Sequence, residues 1–453
     1  MSRGSAVHPP RGMALLMVLW AIVLAVIVVS SLQGASFAQA TAGREAVARV
    51  RAYWAARAGV EATIARLEYD TDNPESDNAF REIDDMAAVA EGEFEDARYR
   101  ISSTGASGEE VLGPRDAHAR LNINRATVEE LGSLTPMMLE DTIAGILDWI
   151  DADDEPNPVG AEVGYYQSLP FPYEPRNGPF RTLQELELVM GATPEDVRGE
   201  DWNLNGLLDP NEDDGSAGAP SDNADGKLDA GWSGLLTAAS VEGGKTPTGN
   251  DFLDLGKASS SEVASRLSCD SEQAEVIVRW AAEGQNPSMG DYLRRQLRQL
   301  DDQLKANQQP RPAASRVQSL TPEQVSSLFS ECTIAQVDKQ RFGNAPPPGK
   351  VNVNTASFEL LEMLPEVGST LAEAIVSERE ARPKGFASFA DLVEVSGMTR
   401  SKLATLYDVL TVRSNVFVVR CRGTDTRSGV DVELLVTIDR SHLPVQIRGV
   451  RVQ

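Results

Sequence analysis

The chain's densest run of hard oxygen donors is DWNLNGLLDPNE, residues 201–212. Set on a twelve-residue frame, Asp201, Asn203 and Asn205 take positions one, three and five. Gly206 takes position six, where the backbone must turn sharply. Leu207 offers a carbonyl at seven, Asp209 stands at nine, and Glu212 at twelve can bind through both oxygens. Oxygen ligands at this spacing suit calcium. A second run, SDNADGKLDAGW at 221–232, keeps Asn223, Asp225, Gly226 and Asp229 in register. It has lost the final acid to Trp232, so it is the weaker site unless Asp222 substitutes after a shift. A third group, Asp151, Asp153, Asp154 and Glu162, lies in DWIDADDEPNPVGAE (148–162) and can complete a separate calcium site. Nine carboxylates and one lysine fall between Glu200 and Asp229. That density is self-repelling without cations.

Little else in the chain is equipped for chemistry. The three histidines, His8, His118 and His442, show no ligand or nucleophile spacing. No nucleophile–base pair is recognisable, so an enzyme is not expected. Three cysteines are present. Cys269 and Cys332 both fall in helical sequence and are expected to form a disulfide. Cys421 falls in an alternating strand pattern. A formal net charge of −26 opposes binding to nucleic acid, which needs clustered Lys and Arg.

The elements that carry these groups follow from periodicity. Residues 13–32 are twenty predominantly apolar positions, long enough to cross a bilayer as a helix. The Ala- and Arg-rich stretch 44–68 continues that helix with no proline. The short leader MSRGSAVHPPRG is basic, which keeps it cytoplasmic. LNINRATVEELGSL (121–134) matches VNVNTASFELLEML (351–364), and FRTLQELELVMGATPEDV (180–197) matches FASFADLVEVSGMTRSKL (386–403). The spacing predicts two copies of one helical unit. Thr182 and Ser388 are N-caps, with Glu185 and Asp391 three residues on. DYLRRQLRQLDDQLKA (291–306) predicts one helix with a leucine stripe, and NQQPRPAASR (307–316) a linker. FEDARYRISSTG (94–105) reads as one strand, and residues 415–440 and 443–452 as three more.

A basic leader ending in Gly12, an apolar run starting at Met13 and an amphipathic extension resemble the type IV pilin and pseudopilin N-terminus. The resemblance implies cleavage by prepilin peptidase between Gly12 and Met13, and methylation of Met13. Most members carry Glu at mature position five; Met17 stands there, a departure that resembles the K-type minor pseudopilins of type II secretion, in which the Glu is typically absent. DWID, the nearby GAE, the paired tyrosines and the Pro/Asn-rich turn of residues 148–180 resemble the same subtype.

The second helical copy is similar to a helix-hairpin-helix. Its hairpin reads Glu366-Val367-Gly368, so the first of the usual glycines is a carboxylate. A membrane-anchored DNA-uptake protein is therefore the alternative, disfavoured by charge.

The resemblance implies an α+β chain. A long transmembrane pilin helix packs on a small antiparallel sheet, interrupted by a large, mostly α-helical inserted domain of two helix-hairpin-helix-like repeats. The expected bounds are a leader (1–12), the helix (13–70), the first part of the sheet (71–120), the insertion (121–411) and the rest of the sheet (412–453). Within the insertion, repeats at 121–240 and 350–411 flank connecting helices at 241–349. The resemblance also implies a non-enzymatic component of the pseudopilus tip. Its expected partners are the I, J and H minor pseudopilins, the inner-membrane assembly platform and the prepilin peptidase. It would be a single-pass inner-membrane chain with its body in the periplasm, passing into the pseudopilus on assembly.

Overall fold

The structure is a computed structural model. It describes residues 11–75, 77–105, 109–134, 136–218, 221–304, 317–334 and 346–453, with only the backbone of Arg11, Gly12 and Ala14. Most of the leader and the 307–316 linker lie outside the described residues.

Helix α1 (Arg11–Asp72) runs 62 residues without a break. Ala-rich sequence free of proline sustains it. Its first half is left uncovered by the described residues: Trp20, Val26, Leu32 and Phe37 are all more than half exposed. Further along, Ala48, Ala52, Ala55, Ala56, Val60, Ile64 and Leu67 recur at helical spacing and are buried. The small residues let the helix axis approach the sheet closely. Gly423 completes that fit, since a Cβ there would lie 1.9 Å from the Ala52 carbonyl oxygen. Helix α2 (Arg81–Ala87) follows.

The sheet has seven strands: β1 (Glu91–Phe94), β2 (Ala97–Thr104), β3 (Glu110–Leu112), β4 (Arg115–Asp116), β5 (Val416–Asp425), β6 (Asp431–Asp439) and β7 (Gln446–Val452). The path is β1-β2-β5-β6-β7, with β3 on β2 and β4 on β5, all antiparallel. The single strand expected at 94–105 is the second arm of a hairpin. Glu95 adopts φ +53° and turns the chain between β1 and β2. Strand β5 comes from the far end of the chain and sits between β2 and β6. Residues 121–411 are therefore an insertion between β4 and β5, with a hydrophobic core separate from that of α1 and the sheet.

One backbone device occurs three times in the insertion. Leu121–Asn122 pairs in parallel with Leu236–Thr237, Leu253–Asp254 with Cys332–Thr333, and Val351–Asn352 with Leu410–Thr411. In each, an Asx side chain (Asn122, Asp254, Asn352) accepts the N–H two residues on, at 2.9–3.1 Å. A capping Thr127, Ser259 or Ser357 then starts a helix. The copies at 121 and 351 add a clasp. Asn124 exchanges hydrogen bonds with the backbone of Phe180, and Asn354 with that of Phe386. Residues 241–349, read from sequence as connecting helices, hold the middle unit. Gly256 replaces the clasping asparagine there, which hides the likeness. The leucine-stripe helix is also broken: Asp291–Arg294 and Leu297–Leu304 are separate, because Arg295 is extended.

Buried Asp116 of β4 joins sheet and insertion. One oxygen accepts from the Ser414 hydroxyl (2.6 Å), the Thr355 hydroxyl (2.5 Å) and the Asn352 amide (3.3 Å); the other accepts the His118 N–H (2.7 Å).

Candidate metal centre

Helix α3 (Val128–Gly132) is closed by a Thr127–Glu130 capping box. Helix α4 (Glu140–Ile150) buries Ile143, Ile146, Trp149 and Ile150, and the same face carries the fully buried Asp148 inward. The chain turns at Asp151 and returns through residues 152–161. Glu162 then stands as N-cap of α5 (Val163–Gln167). This return is aromatic-packed. Trp149 stacks on Phe180 with centroids 6.0 Å apart and meets Tyr166 edge-on, while Tyr173 leans on Tyr166. The paired tyrosines and the Pro/Asn-rich turn thus form the wall that holds the acids in place.

Ligand oxygens of Asp148, Asp151 and Glu162 lie within 4.8 Å of one another. One Asp148 oxygen is held by the backbone and side-chain N–H groups of Asn157. Among the described residues the other is buried without a hydrogen bond, as are both oxygens of Glu162, which is 4% exposed. Burial and then the negative charges of Asp148 and Asp151 push the Glu162 carboxyl up to about 7. Buried, unsatisfied carboxylate oxygens are costly, and a cation removes the cost. The donor set is all oxygen and includes no His or Cys, which fits a hard divalent cation such as calcium. Gly160 leaves the necessary room, since a Cβ there would lie 2.1 Å from the free Asp148 oxygen.

Asp151 and Glu162 come together as the sequence suggested. Asp153 and Asp154 stay at the rim, where the Asn177 amide donates to the Asp153 carbonyl and the Asp154 carboxylate. Asp148 was missed. Its place in DWID, three residues before Asp151 and on the apolar face of a helix, was the available signal.

The 201–212 loop turns at Gly206 (φ +78°) as its spacing requires. Its donors face their own backbone. Asp201 accepts from the N–H groups of Asn205 and Gly206, and Glu212 from those of Trp202 and Asp209. Asn203 and Asn205 give their amide oxygens to backbone N–H groups and their amide nitrogens to Asp209. Burial raises the Asp201 carboxyl, opposed by Arg115 and Arg120. The loop is also stitched to the sheet. Arg451 donates to the Asn203 and Leu204 carbonyls, Gln453 to the Asn203 carbonyl, and Thr104 to that of Gly206. In the 221–232 loop, Asp222 collects three backbone N–H groups, and Asn223 and Asp225 each close a local turn. Glu200, unremarked in the sequence, takes the N–H groups of Asn223 and Asp229.

All three cysteines are thiols in the structure, so no Cys269–Cys332 bridge is formed there. Burial pushes the Cys332 thiol up to about 12, and Cys269 is near enough to add to the effect. On oxidation, non-reducing peptide mapping is expected to find Cys269 joined to Cys332. That closes a loop of about sixty residues, which stabilises by roughly 4 kcal/mol. Cys421 recovered in a bridge would contradict this pairing.

Residues 117–199 match the family model for type II secretion system (T2SS), protein K. The Asp148, Asp151 and Glu162 cluster lies inside this matched stretch, and the 201–212 loop just beyond it. Over 67 residues the chain is 39% identical to the type II secretion system protein K of Pectobacterium carotovorum subsp. carotovorum. That match covers 15% of this chain and 20% of the relative. Residues 348–411 match a helix-hairpin-helix motif. Three of its cations are engaged within the chain: Lys350 lies over the Tyr407 ring, Arg379 donates to the Val353 and Ala356 carbonyls, and Arg382 pairs with Glu378 and Glu394, whereas Lys384 pairs with Asp77 at the surface and Arg400 is exposed. A solved structure of the GspK-GspI-GspJ complex from enterotoxigenic Escherichia coli aligns with 91% of this chain and 99% of that chain, at 11% identity and a TM-score of 0.40.

Proposed function

We propose that this chain is a minor pseudopilin of the K type, a structural component of a type II secretion pseudopilus. The observation that carries the reading is the protein K match over residues 117–199. The 62-residue helix, whose first half is apolar and uncovered, supports it. Before assembly that half spans the inner membrane, with sheet and insertion in the periplasm. Prepilin peptidase cleaves after Gly12 and the new N-terminal Met13 is methylated. The assembled chain stands at the tip with subunits of the I and J types, and with H, on the assembly platform. Met17 suits that place. A glutamate at mature position five has an amine to neutralise only where another subunit lies above it.

The inserted domain is built from helix-hairpin-helix-like units used for packing, and the chain catalyses nothing. Calcium fills the Asp148, Asp151 and Glu162 centre and fastens the 148–180 return onto α4. A second calcium in the 201–212 loop would fasten the insertion to β7.

Complementation tests the role. In a host deleted for this chain, the intact gene is expected to restore export of the system's substrates to the medium. Affinity purification is expected to recover I- and J-type subunits with it. Restored export without either subunit in the purified material would contradict the assembly role.

A further inference from the structure

The sheet has two unlike edges. On one side β1, β3 and β4 are two to four residues long and expose Glu91, Glu93 and Glu110. Short, charged strands are how exposed edges are protected from unwanted pairing. On the other side β7 is seven residues long, pairs among the described residues only with β6, and is exposed at every position but Arg451. Residues 446–453 read QIRGVRVQ, with two arginines and no acid, in a chain of net charge −26.

The ladder phase shows what this edge offers. Gln453 exchanges both backbone hydrogen bonds with Glu433 (2.9 and 3.4 Å). By alternation, Arg451 and Gly449 also face β6, and the N–H and C=O groups of Val450 and Val452 face outward. The side chains of Ile447, Val450 and Val452 lie opposite Ile438, Val436 and Leu434, which are buried beneath α1. Helix α1 packs on β2, β5 and β6, and the same apolar face continues onto β7 at 37, 50 and 58% exposure. Arg448 is paired with Asp439, whereas Arg451, among the described residues, donates to the Asn203 and Leu204 carbonyls and makes no ion pair, with the Asp201 and Glu433 charges near enough to act on it.

Resting on the pseudopilin reading, we propose that β7 is a docking edge. It takes up one strand from a different subunit, apolar toward the α1 side and bearing an acid opposite Arg451. A second copy of this chain fits poorly. Its own β7 is equally basic, and its β1 is four residues long.

The test uses the full chain in cells holding the whole secretion system, with the photocrosslinker benzoylphenylalanine at Val452. Peptide mapping of the crosslinked product is expected to find a strand peptide of another subunit that contains an acid. V450P removes only an outward N–H, which an edge strand tolerates. It is expected to lower the crosslink tenfold or more with an unchanged melting temperature in detergent, while V450T keeps it. If V450P melts lower, V450K, which retains the ladder, is read instead with the same expected loss. A crosslink to a helix, to lipid or to a second copy, no crosslink, or full crosslinking in the variants would overturn the proposal. With the N-terminus processed at Met13, such a result sinks the docking edge alone; an unprocessed N-terminus sinks the pseudopilin reading.

Discussion

In detergent, the full-length chain is expected to melt higher in calcium than in chelator, and D148N with E162Q is expected to abolish most of that difference. The amides keep the volume and remove the charge. Binding to the folded state alone adds about 2.7 kcal/mol at a hundredfold excess over the dissociation constant. G160A should have nearly the same effect while leaving every carboxylate intact, because its methyl group would occupy the space beside the free Asp148 oxygen. The 201–212 loop is separable: D201A with E212A reports on its own share, since its oxygens already hold backbone N–H groups. An equal calcium shift in D148N/E162Q and the parent would leave Asp148, Asp151 and Glu162 as an ion-free polar cluster.

The same centre sets a pH dependence. The Glu162 carboxyl is raised to about 7 in the folded chain, against about 4.3 for an unperturbed glutamate. Between those values the folded state holds a proton that the unfolded state has released. In chelator the contribution of Glu162 is therefore fully present below about pH 4 and is lost as pH rises to about 7. Calcium needs the ionised form, so its stabilisation should grow over the same interval. Melting curves at pH 5 and pH 8, each with calcium and with chelator, check both slopes. In E162Q the chelator slope should flatten.

A second large effect is expected far from the acids. G423A should destabilise the sheet and α1 by about 3 kcal/mol, because the new Cβ meets the backbone of α1 rather than a side chain that can rotate away. G449A, on β7 with nothing within 4 Å of the added carbon, serves as the tolerated control. Thermal denaturation followed by circular dichroism compares the two, and equal melting temperatures would show that α1 does not lie against β5 as described.

Elements governed by local periodicity were legible in the sequence. The apolar run and Ala-rich extension specify α1, and β-branched runs with partial alternation specify β5, β6 and β7. The capping boxes at Thr182 and Ser388 form with the glutamate and aspartate that the spacing indicates. Features set by distant pairing were not legible. The turn at Glu95 uses a left-handed glutamate with no Gly or Asn to announce it. The middle helical unit escaped because Asp254 and Gly256 replace two asparagines that sequence matching relies on, although the Asx hydrogen bond survives. Asp148 escaped because a carboxylate on an apolar helical face reads as part of a core until Glu162, fourteen residues on, is brought beside it. In the 201–212 loop the spacing described the turn, but the sequence could not show that its amides would close on Asp209.

A pseudopilin is processed at its N-terminus before it assembles. Intact-mass and N-terminal peptide analysis of the chain recovered from membranes tests it most directly. A mature protein is expected that begins at Met13, with one added methyl group on its N-terminal nitrogen, and G12A is expected to be processed poorly. A chain that retains its leader, or one that begins after Ala40 as a cleaved secretory signal would leave it, would contradict the account.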